Sequence, residues 1–419
     1  MSVRREDLYR FPWSRTDNPG GWVEVTDECD LSCPGCYRQR LEGHRELRRI
    51  KEDIAACQKL TNCDRMGIAG GEPLLHPDIV EVVGFIARRG MKPMLLTNGE
   101  NLSLDLGQAL KAAGLAKIHF HVDSGMPRPG WAGKTEGEMN ALRQKYADLC
   151  WELGGIQCGF NITVFPRTLP EVPAVVEWAR SNMSRVHHIS FVAFRGIPLD
   201  GSYEFYAGER TVDARLLQHG APDQEGIGLT SLDIFERVRQ HFGEFVPCAY
   251  LAGTSIPESY KFLVCVQVGG RSGFYGFLGA RAAEITQTAH HLWTGRYFDF
   301  LRRPEGGRRL FLLGAFDREL RRTIGGYLAG ALRRPARLFH PVYVQSISFQ
   351  QPNEILDGEV NMCDGCMNAM VFRGRLIPSC RLDEYRLFGE ALHPVRIVPR
   401  PAVGTSGPVG EGGDRTWKY

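Results

Sequence analysis

The sequence contains no uninterrupted apolar run of about 18 residues, the length that a membrane-spanning helix requires. Its N-terminus, MSVRREDLYRFPWSR, is charged and lacks the apolar stretch of a signal peptide. These absences argue against an integral membrane protein and against a secreted one. We therefore expect a cytoplasmic protein.

The chain also has little net charge, since 51 lysines and arginines against 48 acids leave +3 over 419 residues. Such a nearly neutral charge balance is not typical of nucleic-acid-binding proteins. We therefore expect no nucleic acid partner. With 43% hydrophobic residues, the chain is long enough for one large domain and a smaller one.

Twelve cysteines are too few for a small secreted fold stapled by disulfides, and they are unevenly spread. The first cluster consists of Cys29, Cys33 and Cys36. The second consists of Cys363, Cys366 and Cys380. In a cytosolic protein such clusters favour metal binding. The remaining cysteines include four that we interpret as packing residues: Cys57, Cys63, Cys150 and Cys158.

From Gly21 to about Gly196, six short β-rich runs alternate with helix-like stretches. The runs are GWVEVTD, RMGIAGG, KPMLLTNG, KIHFHVDS, QCGFNITVF and HHISFVAF. This order predicts a parallel sheet with helices outside it, either an open doubly wound sheet or a barrel. In both, functional residues gather at the carboxyl ends of the strands.

Polar and reactive residues follow all six predicted strands. In chain order they are Asp27 to Cys36, Gly70 to Pro73, Thr97 to Gly99, Asp123 and Ser124, Asn161 and Thr163, and Arg195 and Gly196. Six such ends in succession indicate the rim of a site.

The first cysteine cluster has the spacing C-x3-C-x2-C directly after the first strand. A structural zinc site needs four ligands, and no completing pair lies nearby. A disulfide would leave one thiol over. A [4Fe-4S] cluster normally takes four thiolates, so three would leave one iron with an open position.

C-x3-C-x2-C after the first strand, with GGEP after the second, resembles the radical S-adenosylmethionine (radical SAM) superfamily over residues 21–196. The resemblance implies a partial (β/α)6 TIM barrel whose loop cysteines hold a [4Fe-4S] cluster, with S-adenosylmethionine bound at the open iron. It implies reductive cleavage of S-adenosylmethionine to a 5′-deoxyadenosyl radical, which abstracts hydrogen from a substrate. An electron donor such as flavodoxin or ferredoxin would be the partner.

The resemblance also assigns cofactor-binding residues. Four would bind the methionyl amino group: Gly70, Gly71, Glu72 and Pro73. We expect the two glycines to allow close approach of a ligand, and Glu72 to pair with an ammonium group. The residues matched to the ribose and the methionine carboxylate are Asp123, Ser124 and Asn161, with Asn98 as a further candidate.

Two further features of this region stand beside those assignments. Members often carry an aromatic residue just before the third cysteine, where this chain has Gly35, followed after Cys36 by Tyr37. His119 and His121 alternate on one strand and share a face, either as substrate or proton-transfer groups or as packed or exposed side chains.

The second cluster, C-x2-C-x13-C, loosely resembles the SPASM or twitch modules of some radical SAM enzymes and implies one auxiliary [4Fe-4S] cluster. Its fourth ligand would be Cys265, Cys248, another residue type or the substrate. The alternatives are a zinc site completed from elsewhere and buried cysteines that act as small apolar residues.

Between Arg296 and Arg337, eleven arginines face four acids, a local excess of +7. Apolar residues recur there at helical spacing: Leu313, Phe316, Leu320, Ile324, Tyr327 and Ala331. Such a helix can lie on an anionic membrane, bind a lipid or phosphorylated substrate, or cap the open barrel with its arginines in solvent.

The predicted organisation is an N-terminal extension (1–20), the barrel (21–200), a substrate-shaping region (201–340), an auxiliary-cluster module (341–392) and a flexible tail (393–419). The predicted function is that of a radical SAM enzyme acting on a lipid or isoprenoid, with peripheral membrane contact, for oxidation or for C–C or C–S bond formation. A ribosomally made peptide is the alternative substrate. A metal-binding scaffold without catalysis is the alternative of another class.

Overall fold

The computed structural model describes residues 3–34, 36–39, 41–194, 196–217, 228–271, 273–356 and 358–397. Three sequence-based interpretations therefore concern residues outside the described ranges. They are those for Gly35, for Arg195 and for the tail from residue 398.

Six parallel strands, β2 to β7, lie side by side in chain order and form the barrel wall. The first seven strands are β1 Tyr9–Arg10, β2 Gly20–Thr26, β3 Arg65–Gly70, β4 Lys92–Thr97, β5 Lys117–His121, β6 Gln157–Val164 and β7 His188–Ala193. The helices between them are α1 Leu47–Thr61, α2 Ile79–Arg88, α3 Leu104–Ala112, α4 Asn140–Leu153 and α5 Val172–Ser181. Their apolar faces and the outer faces of the strands form one core, and the predicted partial (β/α)6 barrel is confirmed.

The region after the barrel extends the same sheet. It contains the strands β8 Tyr203–Ala207, β9 Arg210–Val212, β10 Ala249–Ala252, β11 Tyr260–Gly270 and β12 Gly273–Leu278. It also contains the helices α6 Ser231–Phe242, α7 Ala280–Thr294 and α8 Arg318–Arg333. β10, β11 and β12 join the barrel sheet, whereas β8 and β9 belong to a separate sheet.

The last part of the chain differs from the predicted boundaries. Its elements are β13 Tyr343–Gln350, β14 Glu354–Leu356, β15 Glu359–Asn361, β16 Ala369–Phe372, β17 Arg375–Pro378, α9 Leu382–Phe388 and β18 Leu392–Arg396. β13, assigned from sequence to the auxiliary module, lies in the main sheet between β7 and β11. The first residues of the predicted tail, 393–396, pair with β8 in β18.

The C-terminal segment bridges the two edges of the barrel sheet. At one edge β16 pairs in parallel with β2, Ala369 opposite Gly21. At the other edge the Asp364 amide donates to the Ala252 carbonyl at 3.1 Å, and the Thr254 amide to the Met362 carbonyl at 2.9 Å. The second cysteine cluster thus belongs to the piece of chain that joins β2 to β10.

The first residues of the arginine-rich stretch cover the amino-terminal end of the barrel. Asp299 pairs with Arg65 at 2.8 Å, where β3 begins. Lys92, at the start of β4, donates to the Phe300 carbonyl at 3.0 Å. This end of the barrel is therefore closed, and the opposite end, where the strands finish, is called the barrel mouth below. None of the helices in the described ranges is long and apolar enough to cross a bilayer.

His119 is buried inside the barrel beside His188, with ring centroids 4.8 Å apart. Its Nε2 atom has no hydrogen-bond partner among the described residues. Burial, together with the nearby charge of Lys117, holds the pKa of His119 well below its usual range. His119 is therefore neutral in the folded protein at pH 7.

We expect the free energy of unfolding to fall as the pH drops below about 6.5. In this range His119 binds a proton in the unfolded chain but stays neutral in the folded protein. His119→Gln should reduce this loss by about 1 kcal/mol between pH 7.5 and 5.5, measured by urea unfolding. His393→Gln, at an exposed position, serves as the control and should behave like wild type. If His119→Gln lost as much free energy of unfolding at low pH as wild type, a neutral, buried His119 would not be the cause of the loss.

Candidate functional site

Cys29, Cys33 and Cys36 lie in the long loop between β2 and α1, at the barrel mouth, and the described residues contain no disulfide. Burial raises the pKa of Cys29 to about 11 and that of Cys33 to about 12, and the pKa of Cys36 is raised for the same reason. Cys29 and Cys36 lie close enough to Cys33 that both raise its pKa. Metal binding here must release protons from the thiols.

The donor set fits an iron-sulfur cluster. One loop supplies three cysteines, and Cys29 and Cys36 lie near enough to influence the pKa of Cys33; three thiolates suit a cubane with one iron left open. Within the described ranges, no trio of histidine, cysteine or acidic side chains is gathered around a single point as one metal ion would need.

The two glycines of GGEP approach the cysteine loop itself rather than an open space. A Cβ atom on Gly70, whose φ is +147°, would lie 2.3 Å from the Thr26 carbonyl oxygen, and one on Gly71 would lie 2.1 Å from the Glu28 carbonyl oxygen. The Gly71 and Glu72 amides donate to these same two oxygens, at 2.9 and 2.7 Å. Glycine is needed here for backbone contact with the cysteine loop, whereas the sequence suggested close approach of a ligand.

Glu72 is 1% exposed and its carboxylate accepts three hydrogen bonds. Thr97 Oγ1 donates to Oε1 at 2.6 Å, the Leu74 amide to Oε1 at 2.9 Å and the Asn98 amide to Oε2 at 2.7 Å. Burial outweighs these bonds and raises the pKa of Glu72 to about 7. A carboxylate has about four acceptor positions, so one is left for a further donor. Pro73 begins the short 3₁₀ turn Pro73–Leu75 that follows.

Asn98 supports the cysteine loop. Its Nδ2 donates to Asp30 Oδ1 at 2.6 Å, and Asn101 donates to the other oxygen of Asp30 at 2.7 Å. Its Oδ1 accepts from the Glu100 amide at 2.8 Å. The side chain predicted as a cofactor contact is thus already bonded on both sides.

Asp123 lies buried at the end of β5 and is held from two directions. His121 Nε2 lies 2.8 Å from its Oδ2, and the Gly125 amide donates to its Oδ1 at 3.0 Å. Burial alone would raise the pKa of Asp123, but its interaction with His121 and the hydrogen bond from the Thr163 amide lower it. Asp123 and Arg128 both influence the pKa of Cys33, which places them beside the cysteine loop.

Ser124 and Asn161 present polar side chains at the same mouth. Both are partly exposed, and neither side chain has a hydrogen-bond partner among the described residues. The Ser124 amide donates to Glu136 at 2.6 Å. Both side chains are therefore available to a ligand.

Sequence reasoning missed Arg38, which lies in the cysteine loop and is 2% exposed. Its guanidinium contacts Asp383 of α9 at 2.6 Å, Asp27 at 2.9 Å and Glu24 of β2 at 3.3 Å. The last contact is an ion pair without hydrogen-bond geometry. Arg38 therefore joins the barrel, the loop and the C-terminal segment, and only its place two residues after Cys36 hinted at this.

Two more buried arginines, also missed, build the rim. Arg128 donates to the Asn98 carbonyl at 2.6 Å and to the His121 carbonyl at 2.5 Å, tying the ends of β4 and β5. Arg143 pairs with Glu136 and donates to the Val122 carbonyl at 2.9 Å. The loops that carry the candidate residues thus rest on buried charges whose partners are remote in sequence.

Cys363, Cys366 and Cys380 come together beside the buried side chain of Lys261. Burial raises the pKa of Cys366 to about 12, and the pKa of Cys363 is raised as well; Cys366 and Cys380 add to the effect on Cys363. Lys261 donates to Glu354 at 2.8 Å. These three thiols are the groups that would hold an auxiliary cluster. Burial raises the pKa of Tyr37, which follows Cys36 in the chain.

Cys265 and Cys248 do not fit as the fourth ligand of that cluster. Cys265 packs in the main core, where Cys248 and Arg180 both influence its pKa. On β11 it stands four residues from Lys261, about 13 Å along the strand. Cys248 packs in a second core with Phe11 and Trp13. Both are ordinary buried cysteines.

The N-terminal part of the chain is similar to known proteins. Residues 23–179 match the family model described as "Radical SAM superfamily". The chain is 23% identical over 185 residues to a probable GTP 3′,8-cyclase of Methanocaldococcus jannaschii, covering 41% of this chain and 59% of the relative. It is 31% identical over 164 residues to the PqqA peptide cyclase of Methylobacterium sp., covering 38% and 42%.

Among solved structures, Streptococcus suis SuiB bound to its precursor peptide SuiA is similar at 15% identity and a TM-score of 0.34, over 43% of this chain and 40% of that one. The chain spans less than two thirds of the length of the curated relatives named above. The match to the family model agrees with the superfamily that the C-x3-C-x2-C and GGEP motifs indicated, whose members use a [4Fe-4S] cluster and S-adenosylmethionine.

Arg38→Met should lower the free energy of unfolding by about 3 kcal/mol or more, because it leaves Glu24 and Asp383 buried without their counter-charge. We also expect the iron content of reconstituted protein to fall. Urea unfolding and iron analysis measure both effects. Arg48→Met, which removes an exposed ion pair with Glu52, is the control and should match wild type. A stable, fully iron-loaded Arg38→Met would refute the structural role of Arg38.

Proposed function

We propose that this chain, a member of the radical SAM superfamily, is an enzyme that reductively cleaves S-adenosylmethionine and abstracts a hydrogen atom from an organic substrate. One observation carries the proposal: a loop at the mouth of a parallel barrel holds three thiols, and the buried Glu72 lies near enough to raise the pKa of Cys29. When bound, the cluster and S-adenosylmethionine supply the electron-transfer and radical chemistry, and the protein supplies binding and orientation.

Glu72 is the residue we assign to the amino group of S-adenosylmethionine. Its one remaining acceptor position suits an ammonium group, and burial strengthens such a charge-assisted bond. The three donors that already hold the carboxylate keep its orientation. Gly70, Gly71 and Pro73 act by shaping the turn and by holding the loop against it.

Asp123, Ser124 and Asn161 are the residues we assign to the ribose and carboxylate of the cofactor. Asp123 is kept ionised by His121 and is an acceptor for ribose hydroxyls. Ser124 and Asn161 offer side chains that no described residue engages. Asn98, with its side chain bonded to Asp30, acts through the cysteine loop instead.

For the second cluster we propose an auxiliary [4Fe-4S] site at Cys363, Cys366 and Cys380, with the fourth position filled by a ligand other than Cys248 or Cys265. Such a site close to the first would suit removal of an electron from a substrate radical. A reductant of the flavodoxin or ferredoxin type is the partner we expect.

Two substrate classes remain. A lipid or isoprenoid is supported by the basic stretch 296–337, although this stretch lies away from the barrel mouth, so its support concerns recruitment to a membrane and not a substrate pocket. A peptide is supported by the similarity to a PqqA peptide cyclase. Deuterium transfer from labelled candidates into 5′-deoxyadenosine would distinguish the two.

Anaerobic reconstitution with iron and sulfide should load about eight irons per chain, two cubanes, and give 5′-deoxyadenosine with S-adenosylmethionine and dithionite. Cys33→Ala should abolish 5′-deoxyadenosine. Its matched counterpart Cys366→Ala should hold about four irons and still form 5′-deoxyadenosine. Wild type that holds zinc and forms no 5′-deoxyadenosine would favour the non-catalytic scaffold.

Glu72→Gln should weaken S-adenosylmethionine binding about tenfold or more, because the charge-assisted bond to the amino group is lost. Equilibrium dialysis with the reconstituted protein measures it, with iron content checked in parallel. Thr97→Val removes a donor to Glu72 but keeps its charge, so it should have a smaller effect. Unchanged affinity in Glu72→Gln would remove this residue from the binding site.

A further inference from the structure

Six large apolar side chains are exposed on the segment 307–339. They are Leu312 (81% exposed), Phe316 (67%), Leu328 (50%), Leu332 (86%), Leu338 (44%) and Phe339 (87%). We call this set the α8 surface. Exposed apolar patches of this kind are typical of interaction sites rather than of bare surface.

The α8 surface belongs to one packed unit. Arg321 of α8 donates to the Gly314 and Ala315 carbonyls of the preceding 3₁₀ helix, Gly307–Ala315, at 3.2 and 2.9 Å. Arg308 donates to the Leu338 and His340 carbonyls at 2.8 and 2.7 Å. The three short pieces that carry the six side chains are therefore held together.

The exposed set shares Phe316 with the apolar face that the sequence predicted for this stretch and otherwise differs from it. Leu320, Tyr327 and Ala331 of that face are buried, and Thr323 Oγ1 between them donates to the Phe277 carbonyl of β12 at 2.8 Å. Leu328 and Leu332, four residues apart, share the other side of α8. The predicted face holds the helix on the protein, and a second apolar face is left in solvent.

The charge around the α8 surface is strongly positive. Nine arginines are exposed: Arg302, Arg303, Arg308, Arg309, Arg318, Arg321, Arg322, Arg333 and Arg334. Two of the four acids are used inside the protein, Asp299 with Arg65 and Asp317 as the cap of α8. Because the whole chain carries +3 and this stretch +7, the remaining residues carry a net −4.

We propose that the α8 surface docks onto an anionic phospholipid bilayer. The six apolar side chains would enter the boundary between headgroups and acyl chains, and the arginines would contact lipid phosphates. A symmetric dimer through the same surface is disfavoured, because it would bring two positive fields together. Charge complementarity thus selects the membrane among the occupants of this patch.

Docking through this surface leaves the cysteine loop accessible. α8 packs on β12, which pairs with the part of β11 that faces the start of β13. The barrel mouth lies at the other end of β13, about 26 Å away along eight residues. Membrane binding is therefore independent of the radical site. Only the assignment of a lipid as the substrate would depend on the proposed function.

Co-sedimentation of the full, reconstituted chain with vesicles tests the proposal. We expect binding to phosphatidylcholine vesicles that contain about 30% of the anionic lipid phosphatidylglycerol. We expect little binding to vesicles of phosphatidylcholine alone. Leu328→Ser with Leu332→Ser should weaken binding about tenfold or more. Arg318→Gln with Arg322→Gln should weaken it about fivefold per charge at low salt, and less at high salt.

Leu216→Ser, at an exposed leucine outside the α8 surface, is the matched control and should bind like wild type. Vesicle binding unaffected by both double variants would overturn the proposal. A concentration-dependent dimer in sedimentation velocity, lost in the leucine variant, would overturn it in favour of a second copy. All variants should form 5′-deoxyadenosine at the wild-type rate without vesicles, so a failure of docking and a failure of the radical chemistry give different results.

Discussion

The buried guanidinium of Arg38 is the interaction on which the candidate site depends. It meets one carboxylate from the first barrel strand, one from the start of the cysteine loop and one from α9 near the C-terminus. An arginine buried among three acids is stable only when all partners are in place, because each charge left alone would be costly in a low-dielectric interior. The loop conformation that brings the three thiols together is therefore linked to correct packing of the C-terminal segment.

That linkage changes the meaning of the second cysteine cluster. The piece of chain that carries it is not an appended module, since it bridges the edges β2 and β10 of the barrel sheet. The segment that carries the second cluster is therefore a structural part of the barrel.

The two ends of the barrel have separate tasks. At the mouth, Glu72, Asp123 and the thiols form a buried, charged site whose supports are hydrogen bonds to the strand ends. At the closed end, Asp299 and the residues around it cover the barrel, and α8 turns a basic, partly apolar face to solvent. This separation allows an association with other molecules that does not obstruct the site.

The sequence by itself determined the barrel and the cysteine loop, because strand and helix periodicity and the spacing of Cys29, Cys33 and Cys36 are local properties. It also indicated Glu72 as a site residue, because Glu72 follows two glycines that allow close backbone contact with the cysteine loop. Only the tertiary structure decided the roles of Arg38, Arg128 and Arg143, the place of β13 within the sheet and the exclusion of Cys248 and Cys265. These depend on contacts between residues up to several hundred positions apart, and no local pattern records which buried charge will meet which.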